Sequence, residues 1–224
     1  IVMAFNGILG LRDANEPVRV TMTQLKELKK CALDPIYFIR HYVYINTLDH
    51  GSQLFALYDF QERAIRRFLK YRFNINKWSR QVGKSTVVRG FILWWVIFHK
   101  DQLVAMIGNK LSLAKEQMQQ LRDSYSKLPM WLQPGVKLWN KTSIQLSNNS
   151  RIIVSSSSPD NIRGFAINLL YLDEFAILRS GLAEEFMASV FPAISSGNTT
   201  RCIITSTPKG MNHFYDMWCK AIDE

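Results

Sequence analysis

Residues 73–99 read FNINKWSRQVGKSTVVRGFILWWVIFH, and this stretch decides the fold class. Its first five residues predict a short strand, and the residues from Ser85 to His99 predict a long helix. The apolar run from Phe91 to Phe98 is too short to span a bilayer, so it indicates a helix buried in a protein core. A strand and a buried helix joined by a short loop form one unit of an α/β protein.

The same alternation continues to the end of the chain. The pattern predicts further strands at 103–107, 143–146, 151–155, 169–172 and 202–205, and helices at 111–128, 182–191 and 211–222. Asn148, Asn149 and Ser150 are turn residues, so the strands on either side of them predict a hairpin. Elsewhere the alternation predicts an α/β fold in which helices cover both faces of a mainly parallel sheet. Residues that act chemically are then expected just after the strands.

The N-terminal part differs, and we predict helices and turns there through about Gln61. Thr23 is the predicted cap of one helix. Asp34 is the predicted cap of the next, with Pro35 at its first helical position. We therefore expect a small, mostly helical lid subdomain at residues 1–57, followed by the α/β core at residues 58–224.

The 224 residues carry a net charge of +10, with a pI of about 9.6. This charge indicates a polyanionic partner, nucleic acid first and a membrane surface second, although a basic protein needs neither. Apolar residues make up 47% and charged residues 21%, which is typical of a globular protein. The three cysteines have no C-x-x-C spacing, which favours a reducing compartment. The first ten residues have no basic segment and no small-residue cleavage site, so they do not predict a signal peptide, and we expect the chain to be a piece of a longer protein.

The loop after the first strand ends in Gly83-Lys84-Ser85, as phosphate-binding loops do. Glycine lets the backbone turn so that its N–H groups point at phosphate oxygens. Lys84 would reach the β- and γ-phosphates, and the Ser85 hydroxyl would ligate Mg²⁺. The general pattern G-x-x-x-x-G-K-[ST] has a glycine where this chain has Trp78. A bare G-K-S also occurs by chance, so its position between a strand and a long helix is what favours a phosphate site.

Two later strands also end in polar residues. Asp173 and Glu174 follow one of them and predict a carboxylate for Mg²⁺ and a second carboxylate that polarises an attacking water. Thr205, Ser206 and Thr207 follow the other and predict a hydroxyl cluster that senses the γ-phosphate. An acidic turn and a turn of Ser, Thr and Pro are the alternatives, and each motif alone leaves the choice open.

Two further groups of residues are candidates for contacts with a nucleotide. Gln61 has an amide that fits the edge of an adenine, and Tyr58 or Phe60 would stack on the base. The start of an amphipathic helix with Phe60 in the core explains the same residues equally well. Arg80 in the loop and Arg163 ahead of the two acids would each neutralise charge on a transferring phosphoryl group, unless they are solvated or face DNA.

Taken in order, these motifs resemble those of the large terminase subunit of tailed bacteriophages. The matching pieces are L-Y-D-F-Q, W-S-R-Q-V-G-K-S-T, S-S-P-D-N-I-R-G-F, L-L-Y-L-D-E-F-A and T-S-T-P-K-G. The resemblance is strongest to the branch related to the T4-type packaging motor, and it covers the chain from about Asp34 onward. In that family the phosphate loop is often S-R-Q-x-G-K-[ST], so Trp78 in place of the first glycine fits the family.

The resemblance implies a P-loop NTPase fold of the ASCE or RecA-like type, a three-layer αβα sandwich that binds ATP and Mg²⁺. Asp173 and Ser85 would hold the metal, and Glu174 would be the catalytic glutamate. Lys84 would belong to the catalytic set with one arginine finger, either Arg80 in cis or Arg163 in trans. Thr205, Ser206 and Thr207 would form the coupling motif. The ATP contacts would come from Tyr58, Phe60, Gln61, Ser79, Arg80, Gln81, Val82, Gly83, Lys84, Ser85 and Thr86.

The resemblance also implies a motor that moves double-stranded DNA into a procapsid. Its implied partners are the portal protein, the small terminase subunit and further copies of the chain in a ring, in the cytoplasm of an infected bacterial host and away from membranes. Family members carry a C-terminal nuclease domain that nothing here matches, so we expect no metal-dependent DNA cleavage by this chain. Two alternatives stay open: a superfamily-2-like helicase or translocase domain, and a non-hydrolysing nucleotide-binding protein of virion assembly.

Overall fold

The computed structural model describes residues 10–47, 49–158, 164–178 and 180–223, and a seven-stranded sheet lies at its centre. In chain order the elements are α1 Met22–Leu33, α2 Pro35–Tyr42, β1 Tyr44–Thr47, β2 Gly51–Leu54, α3 Asp59–Lys70, β3 Phe73–Lys77, α4 Lys84–Phe98, β4 Leu103–Gly108, α5 Leu111–Ser126, β5 Val136–Trp139, β6 Ser143–Leu146, β7 Arg151–Ser156, β8 Leu169–Asp173, α6 Ser180–Ser195, β9 Arg201–Ser206 and α7 His213–Asp223.

The strands of the central sheet lie in the order β3-β9-β8-β4-β7-β6-β5. The first five of these are parallel to one another, and β6 and β5 continue the sheet in antiparallel pairing. The predicted mainly parallel sheet is therefore confirmed. Because parallel strands end at the same edge, the carboxyl ends of β3, β9 and β8 lie side by side. Strand β9 separates the strand before the glycine loop from the strand before the two acids.

Helices cover both faces of this sheet, and the alternation of side chains along β8 shows it. Leu169 and Tyr171 belong to the core that contains α2, α3 and α4, whereas Leu170 and Leu172 belong to a second core with α6 and α7. Successive residues of a strand point to opposite faces, so both faces of β8 are buried. The predicted three-layer sandwich is confirmed. No helix in the described part of the chain is long and apolar enough to cross a bilayer.

The N-terminal part is not purely helical, and the prediction of helices and turns is wrong at residues 44–54. Strands β1 and β2 form an antiparallel hairpin there. Every residue of β2 is exposed, so the sequence lacks the alternation of apolar and polar residues that marks a half-buried strand. The hairpin is held by α5, because the Ser124 hydroxyl donates to the Tyr44 carbonyl at 2.7 Å. The division of the chain between residues 57 and 58 stays a prediction.

Of the two helix caps predicted in this part of the chain, one is confirmed and one is wrong. Asp34 caps α2 through a hydrogen bond from the Ile36 N–H at 2.8 Å, as predicted. Helix α1 is capped by Thr21 and not by Thr23. The Thr21 hydroxyl accepts from the Gln24 N–H, and the Gln24 side chain accepts from the Thr21 N–H. This reciprocal pair is a capping box, and it satisfies two N–H groups that a cap at Thr23 would leave open.

The other elements for which bounds were predicted begin and end within a few residues of them, whereas no bounds were predicted for α3. The hairpin of β6 and β7 is confirmed, with Asn149 of its turn in the left-handed region at a φ of 64°. Strand β5 was not predicted, and it extends the sheet by antiparallel pairing with β6. Helix α6 is longer than predicted, running from Ser180 to Ser195 through Pro192.

Candidate active site

The loop between β3 and α4 has the backbone of a tight phosphate loop. Gly83 caps α4 with a φ of 73°, and Gln81 also has a positive φ of 62°. A side chain at position 83 would meet Gln61, because a Cβ built there lies 2.9 Å from the Gln61 amide nitrogen. Glycine is thus required twice, by its dihedral angle and by this contact. The start of the loop is held by the backbone N–H of Trp78, which donates to the Ser206 carbonyl at 3.0 Å.

Lys84, the first residue of α4, forms an ion pair with the second of the two predicted acids. Its Nζ atom lies 2.5 Å from Glu174 Oε1, and both side chains are mostly buried. Glu174 has a φ of 53°, an uncommon conformation for a residue with a side chain, and such residues concentrate at functional sites. Burial acts to raise the pKa of the Glu174 carboxyl, but Lys84 and Thr207 outweigh burial and hold the pKa below its usual 4.5. The carboxylate is therefore charged at neutral pH.

Asp173, at the end of β8, receives three hydrogen bonds from three different elements. Ser85 Oγ lies 3.1 Å from Oδ2, Thr205 Oγ1 donates to Oδ1 at 2.9 Å, and the Gln117 amide donates to Oδ2. A serine hydroxyl and a carboxylate are the oxygen ligands that suit Mg²⁺, which takes one or two protein ligands together with phosphates and waters. These residues therefore fit the metal. The described residues contain no cluster of three or more His, Cys, Asp or Glu side chains that would hold a metal alone.

The three hydroxyl residues at the end of β9 contact both acids. Thr205 bonds Asp173, while Thr207 donates to Glu174 Oε2 through its hydroxyl at 3.2 Å and its N–H at 3.3 Å. Ser206 Oγ accepts from the Ala176 N–H at 3.0 Å and so reaches the turn that follows Glu174. Both acids are thus hydrogen-bonded to the end of β9, and the coupling role of these three residues stays a prediction.

Gln61 lies directly behind the phosphate loop and is almost fully buried. Its amide nitrogen donates to the Val82 carbonyl at 3.0 Å, and its oxygen accepts from the Tyr58 N–H at 3.0 Å. Phe60 is not in the core, since it is 37% exposed; it stacks on Tyr58 and packs edge-on against Trp78, with ring centroids 5.6 Å apart. Tyr58 and Phe60 are exposed and Trp78 is partly buried, and the three rings form an aromatic group beside the loop. Contact of Gln61, Tyr58 and Phe60 with adenine stays a prediction.

Of the two candidate finger arginines, only Arg80 lies in the described part of the chain, and it forms no salt bridge with the acids. It is exposed on the loop. Arg163 lies outside the described residues, so the choice between the two stays open. Ser79 and Gln81 are exposed and Val82 is partly buried. The Thr86 hydroxyl accepts from Arg89 Nη2 at 3.2 Å.

Sequence reasoning missed two residues that contact the site. Gln117 of α5 bonds Asp173, but it stands beside Gln119 and Gln120 in a polar run, and nothing local separates it from them. Tyr171 was visible only as an apolar strand residue, and its ring hydroxyl lies 3.2 Å from Thr205 Oγ1. Burial raises the pKa of Tyr171 well above its usual value, so this hydroxyl keeps its proton. Strand alternation puts Tyr171 on the face of Asp173, which is the one available signal.

The fold and the site define the class of P-loop nucleotide-binding domains in which one strand separates the loop strand from the acid strand. A family model described as "Terminase large subunit, T4likevirus-type, N-terminal" matches residues 77–224, well over half of the chain. The chain therefore belongs to the large terminase family, as the motifs had indicated.

Solved structures of phage terminases share the fold. The large terminase of bacteriophage HK97 is 17% identical, covers 86% of this chain and has a TM-score of 0.72. The large terminase ATPase domain of Thermus phage P74-26 is 21% identical over 72% of this chain and 69% of its own length, with a TM-score of 0.57. A large terminase of a thermophilic bacteriophage, solved with ATP-gamma-S, is 14% identical over 75% of this chain and 42% of its own length, with a TM-score of 0.58. The chain spans 41% of the HK97 protein.

Proposed function

We propose that this chain is the ATPase motor domain of a terminase large subunit, and that it hydrolyses ATP to move double-stranded DNA into a procapsid. The observation that carries the proposal is the convergence of two acid–partner pairs at one edge of the sheet. Lys84 pairs with Glu174, and Ser85 bonds Asp173. The terminase solved with ATP-gamma-S supports a nucleotide ligand.

ATP binding would replace contacts that the chain now makes with itself. Lys84 is held by Glu174 and has to leave it to reach the β- and γ-phosphates. The loop N–H groups and the N-terminus of α4 then receive the phosphate oxygens. Ser85 and Asp173 would hold Mg²⁺, which would supply positive charge beside the phosphates. The aromatic group of Tyr58, Phe60 and Trp78 offers ring faces on which a base can stack.

Hydrolysis would follow from the release of Glu174. Once Lys84 has moved, the Glu174 carboxylate is free to accept a proton from a water molecule. The water oxygen attacks the γ-phosphorus, the bond to ADP breaks and inorganic phosphate forms. Arg80 or Arg163 would balance the charge on the transferring group. Because Thr205 and Thr207 bond the two acids, β9 would carry the change in the site toward its neighbours.

The motor role rests on the family and on the charge of the chain. A net charge of +10 suits contacts with a DNA backbone that carry no sequence information. The partners proposed are the portal protein and procapsid, the small terminase subunit and other copies of the chain in a ring, in the cytoplasm of the infected host. An arginine supplied in trans would make hydrolysis depend on this ring.

Steady-state release of phosphate from ATP tests the proposal. The wild-type chain is expected to release phosphate with Mg²⁺ present, most rapidly when assembled with portal and DNA, and Glu174→Gln is expected to abolish release while ATP still binds. Absence of phosphate release in every assembly state would refute the enzyme. Unwinding of a forked duplex would instead favour the helicase alternative.

A further inference from the structure

The outer face of α3 carries four positive charges in one line. Arg63, Arg66, Arg67 and Lys70 are spaced at i, i+3, i+4 and i+7, so they lie on one side of the helix. All four are exposed. We call them the α3 stripe.

The α3 stripe is poorly neutralised by its surroundings. Within the described part of the chain its one salt bridge joins Arg66 to Glu62 at 3.7 Å, and the Arg66 side chain is 68% exposed. Cations at i and i+4, as in Arg63 with Arg67 and Arg66 with Lys70, repel each other and destabilise a helix. The stripe is therefore a line of exposed positive charge with one long salt bridge, which suits an anionic partner.

The rest of α3 is fixed firmly to the nucleotide side of the domain. Ala64, Ile65 and Phe68 are buried on the inner face, and Phe68 packs on Phe91 of α4 with ring centroids 5.4 Å apart. At its far end the helix is held by Arg201, whose guanidinium donates to the Phe68 carbonyl at 2.7 Å.

The first turn of the same helix supports the phosphate loop. Gln61 donates to the Val82 carbonyl at 3.0 Å, so one rigid helix of 12 residues joins the phosphate loop to the α3 stripe. The phosphate loop and the stripe are therefore contacted by one and the same helix.

Resting on the proposed function, we propose that the α3 stripe is the surface by which this domain grips the phosphate backbone of double-stranded DNA. One guanidinium group can donate two parallel hydrogen bonds to the oxygens of a phosphate, and three of the four cations are arginines. The stripe extends about 10 Å along the helix, and one DNA strand carries a phosphate about every 3.4 Å of axis, so two or three phosphates are within its reach. The proposed grip lies on the helix whose first turn contacts the phosphate loop, so the DNA surface and the nucleotide site share one element.

Two charge-matched variants of the 224-residue chain test this assignment. The stripe variant replaces all four residues by glutamine. The control variant replaces four other exposed lysines, so that the net charge falls from +10 to +6 in both. The substitutions are Arg63→Gln, Arg66→Gln, Arg67→Gln and Lys70→Gln in the first, and Lys26→Gln, Lys29→Gln, Lys115→Gln and Lys141→Gln in the second.

Fluorescence anisotropy with a labelled duplex, at several salt concentrations, measures the binding. At low salt we expect the stripe variant to lose at least tenfold in affinity and the control less than threefold. The slope of log affinity against log salt should fall by about two in the stripe variant, because each lost phosphate contact contributes about 0.9. A third variant, with the three arginines replaced by lysine, keeps the charge and should stay within about fivefold of wild type.

Three results would overturn the assignment: equal losses in both charge-matched variants, no loss in the stripe variant, or binding of the wild type to phosphatidylserine vesicles but not to duplex. Nucleotide binding measured without DNA separates this proposal from the proposed function, since none of the four residues lies in the phosphate loop. If the wild-type chain binds no ATP but the stripe variant still loses affinity for DNA, the motor function is refuted and the DNA-binding surface is retained. A circular dichroism melt verifies that each variant is folded.

Discussion

Replacing Glu174 by glutamine should weaken catalysis and tighten ATP binding together. Lys84 Nζ lies 2.5 Å from Glu174 Oε1, so ATP must take the ammonium group from this carboxylate. Glutamine keeps the shape and a neutral acceptor. The variant keeps a hydrogen bond from the charged ammonium but loses the attraction between two opposite charges, which we expect to weaken the competition with ATP by about 1.4 kcal/mol. This difference corresponds to about a tenfold lower dissociation constant for ATP. Removal of the charge also relieves repulsion of the γ-phosphate, which acts in the same direction.

The loss of activity in Glu174→Gln should be larger than the gain in affinity. General bases contribute about a hundredfold to ten-thousandfold, so phosphate release should fall by at least about a hundredfold. Affinity is measured by calorimetry with ATP-gamma-S and Mg²⁺, and activity by phosphate release. Glu184→Gln, an exposed carboxylate on α6, is the matched control and should change neither quantity. Unchanged or weaker nucleotide binding in Glu174→Gln would refute the idea that the Lys84 pair competes with ATP.

Three further predictions concern the same site. Gln61→Ala leaves the Val82 carbonyl and the Tyr58 N–H unpaired, so urea unfolding should show a loss of about 1–3 kcal/mol in the free energy of unfolding. The control Gln119→Ala, at an exposed position, should lose less than about 0.5 kcal/mol. Ser85→Ala removes a proposed Mg²⁺ ligand; the gain in ATP affinity on adding Mg²⁺ should shrink at least tenfold, and an unchanged gain would exclude Ser85 as a ligand. The pKa of Glu174 is lower in the folded chain than its usual 4.5, so its contribution to stability is present above pH 4.5 and is lost as the pH falls below that value. Below pH 4.5 the free energy of unfolding should therefore drop less steeply in Glu174→Gln than in wild type. Equal slopes would contradict the lowered pKa.

Much of the site could be predicted because its residues follow strands in local motifs. The turn at Gly83, the ammonium of Lys84 and the paired acids are recognisable from their order and their positions just after strands, and parallel strands bring their ends to one edge. The structure indeed places Lys84 against Glu174 and Ser85 against Asp173. These features can be predicted because a strand–loop–helix unit is formed by residues that are adjacent in the sequence.

Other features could not be predicted because they depend on contacts between distant segments. Gln117 reaches Asp173 only because β4, which precedes α5, pairs with β8 in the sheet. The hairpin at residues 44–54 has an exposed second strand, so its formation depends on contacts with α5 and not on an apolar pattern. The burial of Gln61 behind the loop likewise follows from the packing of α3 on α4.

The sequence by itself determined the fold class, the phosphate loop, the two acids and the positions of the hydroxyl cluster, because each is written in a short run of residues with its own periodicity or turn chemistry. Only the tertiary structure decided that β9 lies between β3 and β8, since strand order depends on pairing across more than a hundred residues. That order puts Thr205 and Thr207 on the two acids and occupies Lys84 with Glu174. The same structure places four exposed cations on a helix that also supports the phosphate loop, and this juxtaposition is invisible in the order of residues alone.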